Sequence, residues 1–149
     1  MKKSWFTETE VFLLHEIVGR LDRIARTRVL EARGISYPEF LVAMAVRELA
    51  EPNHGDVGEL LDMSKSLVSQ RVASLMAKGM MVQNPNKENR RQMRLELTPS
   101  GRKLLEQVYR ELAEQASQLF DVLGTGRTRF RQALQLLREA LAEEEAVGR

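Results

Sequence analysis

The feature that most constrains this chain of 149 residues is a single change of period. Along most of its length apolar residues recur at three- and four-residue steps, the spacing of one face of an α-helix. After Gly79 the step falls to two. Met93, Leu95 and Leu97 alternate with Gln92, Arg94 and Glu96, as the two faces of a strand require. Met81 to Asn84 supplies a partner strand, and the intervening NPNKENRR is rich in turn formers and charge. The pattern predicts a mainly α chain with one small β-hairpin.

The helical stretches carry their own boundaries. Thr7 with Glu10 has the spacing of a capping box for a first helix reaching about Ala32 on Val11, Leu14, Val18, Leu21, Ile24 or Ala25, and Val29, with Gly34 as its stop. Ser36 and Pro38 open a second helix through the apolar run Phe40 to Val46, closed by Pro52, Asn53 and Gly55. A short third helix from about Asp56 to Leu61 places Val57, Leu60 and Leu61 on one side. Ser64 caps a fourth, whose buried stripe is Leu67 or Val68, Val72, Leu75 and Met76 and which ends at Gly79. Beyond the hairpin, Thr98 and Pro99 open a long helix on Leu105, Val108, Leu112, Leu119, Phe120 and Leu123. Gly124, Thr125 and Gly126 break it, and a last amphipathic helix carries Phe130, Leu134, Leu137 and Leu141.

Composition removes several function classes. With no cysteine, disulfides, thiolate metal sites and thiol-based sensing are excluded. The two histidines, His15 and His54, are far apart, and His15 reads as a core or interface residue; neither a metal nor a cofactor is expected. No phosphate-cradling glycine loop, no HExxH and no nucleophile with a base and orienting group is present, so no enzymatic activity is expected. The longest apolar run, FLVAMAV, falls far short of the ~20 residues that span a bilayer, and MKKSWFTETE lacks the apolar centre of a secretory signal. A cytoplasmic protein with no membrane partner is expected.

The formal net charge of +2 conceals a step. From Ser36 to Asp62 the single base Arg47 stands against Glu39, Glu48, Glu51, Asp56, Glu59 and Asp62. From Met63 to Thr98 the sign reverses: Lys65, Arg71, Lys78, Lys87, Arg90, Arg91 and Arg94 stand against only Glu88 and Glu96. Basic character therefore begins where the fourth helix begins.

Short helix, turn, helix, strand, basic turn, strand is the order of a winged helix-turn-helix, and double-stranded DNA is the partner such a charge distribution fits. With its apolar stripe turned inward, the fourth helix presents Ser64, Lys65, Ser66, Ser69 and Gln70, with Ala73 and Arg71 beside them, toward a major groove. Gln suits adenine, and Ser donates or accepts at several base edges. Lys87, Arg90 and Arg91 at the hairpin tip reach phosphates or the minor groove. One small winged helix cannot cover two long flanking helices that are apolar along their length, so a second copy of the chain is expected to bury them. A two-fold dimer then sets two reading helices about one DNA turn apart, matching an inverted repeat. The competing reading is a winged helix that binds another protein instead of DNA.

The stretch GELLDMSKSLVSQRVASLMAKGMMVQNPNKENRRQMRLELTPSG resembles the MarR family of transcription regulators from helix-turn-helix through wing, most densely from Gly58 to Leu105. The resemblance implies a single unit over 1–149, with dimerisation helices in 1–34 and 99–149 around a DNA-binding region 36–98, acting as a homodimer on pseudo-palindromic operators. It places Ser64 at the helix start, Lys65, Ser66, Ser69 and Gln70 on the DNA face, Arg91 at the wing arginine, and Leu97, Thr98 and Gly101 at the family's step from wing to helix. Asn89 stands where the family usually has an aspartate, and Gln70 where many relatives have arginine. It further implies a repressor whose DNA affinity falls when a small aromatic or phenolic effector binds. Trp5, Phe12, His15, Phe40 and Met44 are the candidates, by position and chemistry, to line its pocket.

Overall fold

The structure, a computed structural model, describes residues 5–49, 51–86 and 92–147. Its elements run α1 (Glu10–Ala25), α2 (Tyr37–Glu48), α3 (His54–Leu61), α4 (Lys65–Ala77), β1 (Met81–Pro85), β2 (Met93–Leu97), α5 (Pro99–Phe120) and α6 (Arg127–Val147). The mainly helical architecture with one antiparallel hairpin is borne out. The chain divides into two compact units, Met1–Glu111 and Leu112–Arg149, with the boundary inside α5. Among the described residues no helix is long and apolar enough to cross a membrane.

The first helix departs from its expected course at both ends. Its N-cap is Thr9, not Thr7, because Trp5–Glu8 wind as a 3-10 turn; Thr9 Oγ1 accepts from the Phe12 amide at 3.3 Å. After Ala25 the winding widens to a π-turn over Arg26–Leu30, then tightens to a 3-10 turn over Glu31–Arg33. Each change of pitch rotates the following side chains. Here Val29 and Leu30 end fully buried. Gly34 closes the segment at φ 66°, a left-handed conformation that costs glycine little.

In the first unit α2, α3, α4 and the hairpin close around one core. Ser36 and Glu39 form the capping box of α2, with Pro38 in its first turn, and the helix buries Phe40, Val42, Ala43, Ala45 and Val46. Asn53 and Asp56 form a second capping box, so α3 starts at His54, earlier than its apolar residues alone indicate. Two residues expected in the core are not there. Leu60 is 55% exposed, because the short α3 turns Val57 and Gly58 inward. Met76 is 39% exposed, because the inward line Val68, Val72, Leu75 leaves the next residue about 100° around the helix.

The strands pair from Met81 opposite Leu97 to Pro85 opposite Met93, burying Met81, Leu95 and Leu97 while Met93 stays at the exposed end. The Leu95 amide donates to the Pro52 carbonyl at 2.8 Å, adding the α2–α3 connection to the sheet edge. Thr98 caps α5 through its Oγ1, which accepts from the Gly101 amide at 3.0 Å, and Leu105 and Val108 bury the near half of that helix. In the second unit Gly124, at φ 49° and ψ −126°, separates α5 from α6. Arg127 bonds Ser117 and Asp121 and lies 5.9 Å from the Phe120 ring centre; Phe120 in turn meets Phe130 at 6.0 Å.

Candidate nucleic-acid interface

The turn between α3 and α4 is held by backbone geometry. Asp62 takes φ 52°, a left-handed conformation that Asp tolerates better than most residues, and the Met63 amide donates to the Gly58 carbonyl at 2.9 Å. A Cβ on Gly58 would stand 2.7 Å from the Met63 carbonyl oxygen, so this close crossing requires glycine. Ser64 then caps α4, its Oγ accepting from the Leu67 amide at 3.2 Å. At the other end Gly79 takes φ 69°, and the Gly79 and Met80 amides close the last turn on Met76 and Leu75.

With Val68, Val72 and Leu75 facing the core, Ser64, Lys65, Ser66, Ser69, Gln70 and Ala73 all lie exposed. Together they make one polar face of short or flexible groups at the N-terminal half of the helix, where free amides add positive potential. Arg71 stands apart from that face. It is half-buried, and its Nε is enclosed with no hydrogen-bond partner among the described residues. Lys87, Arg90 and Arg91, together with Asn89, lie outside the described residues; the hairpin is closed up to them by the Asn86 amide on the Gln92 carbonyl at 2.8 Å.

Of the six acids that precede α4, only Glu39 is buried; Glu48, Glu51, Asp56, Glu59 and Asp62 are exposed, though two of these have partners within the fold. Glu51 pairs with Arg94 of β2, and Asp56 serves the α3 cap. Glu39, 3% exposed, accepts from the Ser36 amide at 2.7 Å, from the Ser74 hydroxyl, and from Lys78 Nζ at 2.8 Å on each oxygen. Burial alone would raise its carboxyl, but the bonds from Lys78, Ser74 and Ser36 overcome that and bring it down to about 2. In the sequence Lys78 is only one of the bases that follow Met63. The Ser36–Glu39 spacing was the one available signal, and it indicates a cap, not a contact with α4. His54 was likewise unassigned; it meets Gln83 of β1 at 3.0 Å, and burial and the Lys65 charge push it down.

The candidate effector residues differ in burial. Phe40 is buried and Phe12 and Met44 half-buried, while the side chain of Trp5 lies outside the described residues. His15 is exposed in the single chain, so it is not a core residue; it lines a surface cavity of about 460 Å³ with Glu16, Gly19, Arg20 and Arg23. A second cavity of about 540 Å³ lies between α1 and the start of α2, lined by Gly19, Asp22, Arg23, Arg26, Ser36, Tyr37 and Pro38. Neither takes in Phe12, Phe40 or Met44. Burial, the Asp22 charge and the hydrogen bond to Asp22 raise the Tyr37 phenol there.

No family model and no curated protein matches the chain by sequence. Solved structures do match in fold. Bordetella bronchiseptica BpsR, whose DNA binding is regulated by 6-hydroxynicotinic acid, is 23% identical over 94% of this chain and 97% of its own, with a TM-score of 0.76. The transcriptional repressor CouR of Rhodococcus jostii, bound to a 23-mer DNA duplex, is 19% identical over 95% and 98%, with a TM-score of 0.80. MarR of E. coli, without ligand, is 20% identical over 89% and 97%, with a TM-score of 0.74. The chain has the winged-helix fold of these proteins, as its sequence resemblance led us to expect.

Proposed function

We propose that the protein is a homodimeric, sequence-specific DNA-binding transcriptional regulator of the MarR type, a repressor relieved by a small ligand. The observation that carries this reading is the exposed polar face of α4, Lys65, Ser66, Ser69 and Gln70, set on a helix-turn-helix directly ahead of an antiparallel wing. Ser64, the first amides of α4 and Lys65 meet phosphate, Ser66, Ser69 and Gln70 meet base edges, and Lys87, Arg90 and Arg91 of the wing meet the backbone alongside. Repressor function draws support from CouR, a transcriptional repressor seen on DNA.

Dimerisation is supported by apolar surface that a single chain leaves bare. Val11 is 79% exposed, Val18 54%, Leu136 67% and Leu141 57%. A second copy covering α1 and α6 accounts for both stripes. For the effector we assign the cavity between α1 and α2 in place of the aromatic set, since Arg23 and Arg26 with Tyr37 suit an anionic, aromatic ligand. Its wall at Ser36 to Pro38 is the first turn of α2, next to the carboxylate that grips α4. A regulator of this kind works in the cytoplasm, and it has no catalytic task.

Fluorescence anisotropy with duplexes from the region upstream of its own gene tests the reading. A duplex bound at least about a hundredfold more tightly than its scrambled version is expected. Equal affinity for both would defeat it and favour a protein-binding module.

A further inference from the structure

We infer that Glu39 is a positioning residue for DNA reading, a buried carboxylate that fastens the C-terminal turn of α4 to the N-terminal cap of α2 and so sets the angle at which α4 presents its exposed face. This rests on the assignment of α4 as the reading helix.

Three observations combine. First, each oxygen of the carboxylate serves both helices or both donors of α4. Oε2 accepts from Ser36 N at 2.7 Å and from Lys78 Nζ at 2.8 Å, while Oε1 accepts from Ser74 Oγ and from the same Nζ at 2.8 Å. Second, Ser74 and Lys78 are four residues apart, so they stand on one side of the helix and grip the acid as a pair. Third, the fully buried residues of α4 are all aliphatic. Val68, Val72 and Leu75 fix how deep the helix lies, but apolar contact is non-directional and resists tilting weakly. Hydrogen bonds to a charged acceptor are directional and short, and they are what resists tilt here.

The anchor also lies far from the reading residues. At about 1.5 Å per residue, Lys78 is about 12 Å along the axis from Gln70 and about 20 Å from Lys65. With the helix pivoting near Val72, a shift at the anchored end is returned at similar size at Lys65. Hydrogen bonds to base edges hold over only a few tenths of an ångström, so such a shift is lost specificity rather than lost charge.

The test uses full-length protein carrying Glu39→Gln, Lys78→Met, Ser74→Ala or the first two together, a duplex selected from its upstream region, and a scrambled duplex. Glu39→Gln is expected to lower the ratio of specific to scrambled affinity about tenfold, with scrambled affinity itself within about twofold. The Glu39→Gln, Lys78→Met pair is expected to cost no more than the worse single change. Without DNA, amides of α4 should exchange about tenfold faster in these variants, and those of α5 unchanged. If Glu39→Gln does not fold, Ser74→Ala and Lys78→Met carry the same expectations. An unchanged ratio together with unchanged exchange in α4 overturns the inference. So does an equal fall for both duplexes in Lys78→Met alone, which would make Lys78 a phosphate contact. If the parent protein itself prefers neither duplex, the reading-helix assignment fails, and the exchange data still decide whether Glu39 anchors α4.

Discussion

Replacing Gly101 by alanine should be among the most damaging single-methyl additions this chain can receive. Gly101 sits in the first turn of α5, where a Cβ would stand 2.0 Å from the Met80 carbonyl oxygen, 2.7 Å from its carbon and 2.8 Å from its Cα. All three are backbone atoms. Met80 cannot yield cheaply, since its amide donates to Leu75 at 2.9 Å, its carbonyl accepts from Thr98 at 3.0 Å, and its side chain is 4% exposed. Restoring ordinary contact at 3.4 Å requires the start of α5 to withdraw by about 1.4 Å. That opens the Thr98 to Met80 bond and the Thr98 and Ser100 hydroxyl bonds to the Gly79 carbonyl. Overpacking against rigid backbone costs about 1–3 kcal/mol and lost hydrogen bonds about 1 kcal/mol each, while alanine returns at most about 1 kcal/mol of helix propensity. A net loss of about 3–5 kcal/mol follows, or about 10–15 °C in the melting temperature of a chain this size. Urea and thermal unfolding followed by circular dichroism measure it. Gly19→Ala serves as the control, because nothing lies within 4 Å of a Cβ there and the same methyl should be neutral or stabilising. If Gly101→Ala unfolds with the parent, the close approach of Met80 to α5 is wrong.

Other consequences are simpler to state. Because the Glu39 carboxyl is lowered from 4.5 to about 2 on folding, its contribution of about 3 kcal/mol is fully present above pH 4.5 and disappears as pH falls toward 2; acid titration of stability should lose that limb in Glu39→Gln. Ser64→Ala removes the cap of α4 and should cost about 1 kcal/mol in urea unfolding, with Ser64→Asp recovering most of it. Leu137→Glu with Leu141→Glu should convert a dimer to monomers by sedimentation, since both side chains are exposed on α6 and have no place in a core of one chain.

The exposed face of α4 proposed to read DNA was legible because it follows from subtraction. Once Val68, Val72 and Leu75 are known to turn inward, the period of the helix leaves Lys65, Ser66, Ser69 and Gln70 outward whatever surrounds them. Caps were legible for the same local reason, though Thr9 rather than Thr7 shows how a 3-10 turn ahead of a helix shifts the choice. The π-turn at Arg26–Leu30 left no trace in residue type, since what it serves is the burial of Val29 and Leu30 by distant elements. Glu39 was hidden more deeply. A first-turn acid satisfies both the capping pattern and the helix dipole, and its bonds to Ser74 and Lys78 join residues 35 and 39 positions away.

The charge step visible in the sequence overstates the charge available to DNA, and the difference is measurable. Of the seven bases from Met63 to Thr98, Lys78 is paired with Glu39, Arg94 with Glu51, and Arg71 is half-buried with its Nε enclosed. Lys65 on α4 and, by their place in the sequence, Lys87, Arg90 and Arg91 on the wing remain to meet phosphate. At about 0.9 per neutralised phosphate, four contacts in each of two subunits give a slope of about −7 in log K against log salt, where seven would give about −13. Anisotropy titrations on one operator duplex between about 50 and 200 mM salt separate these values easily. A slope near −13 would require Lys78 and Arg94 to leave their carboxylates for DNA, exposing Glu39 and Glu51 unpaired beside the phosphates. That exchange repels the ligand it recruits, so the smaller slope is the one the fold can sustain.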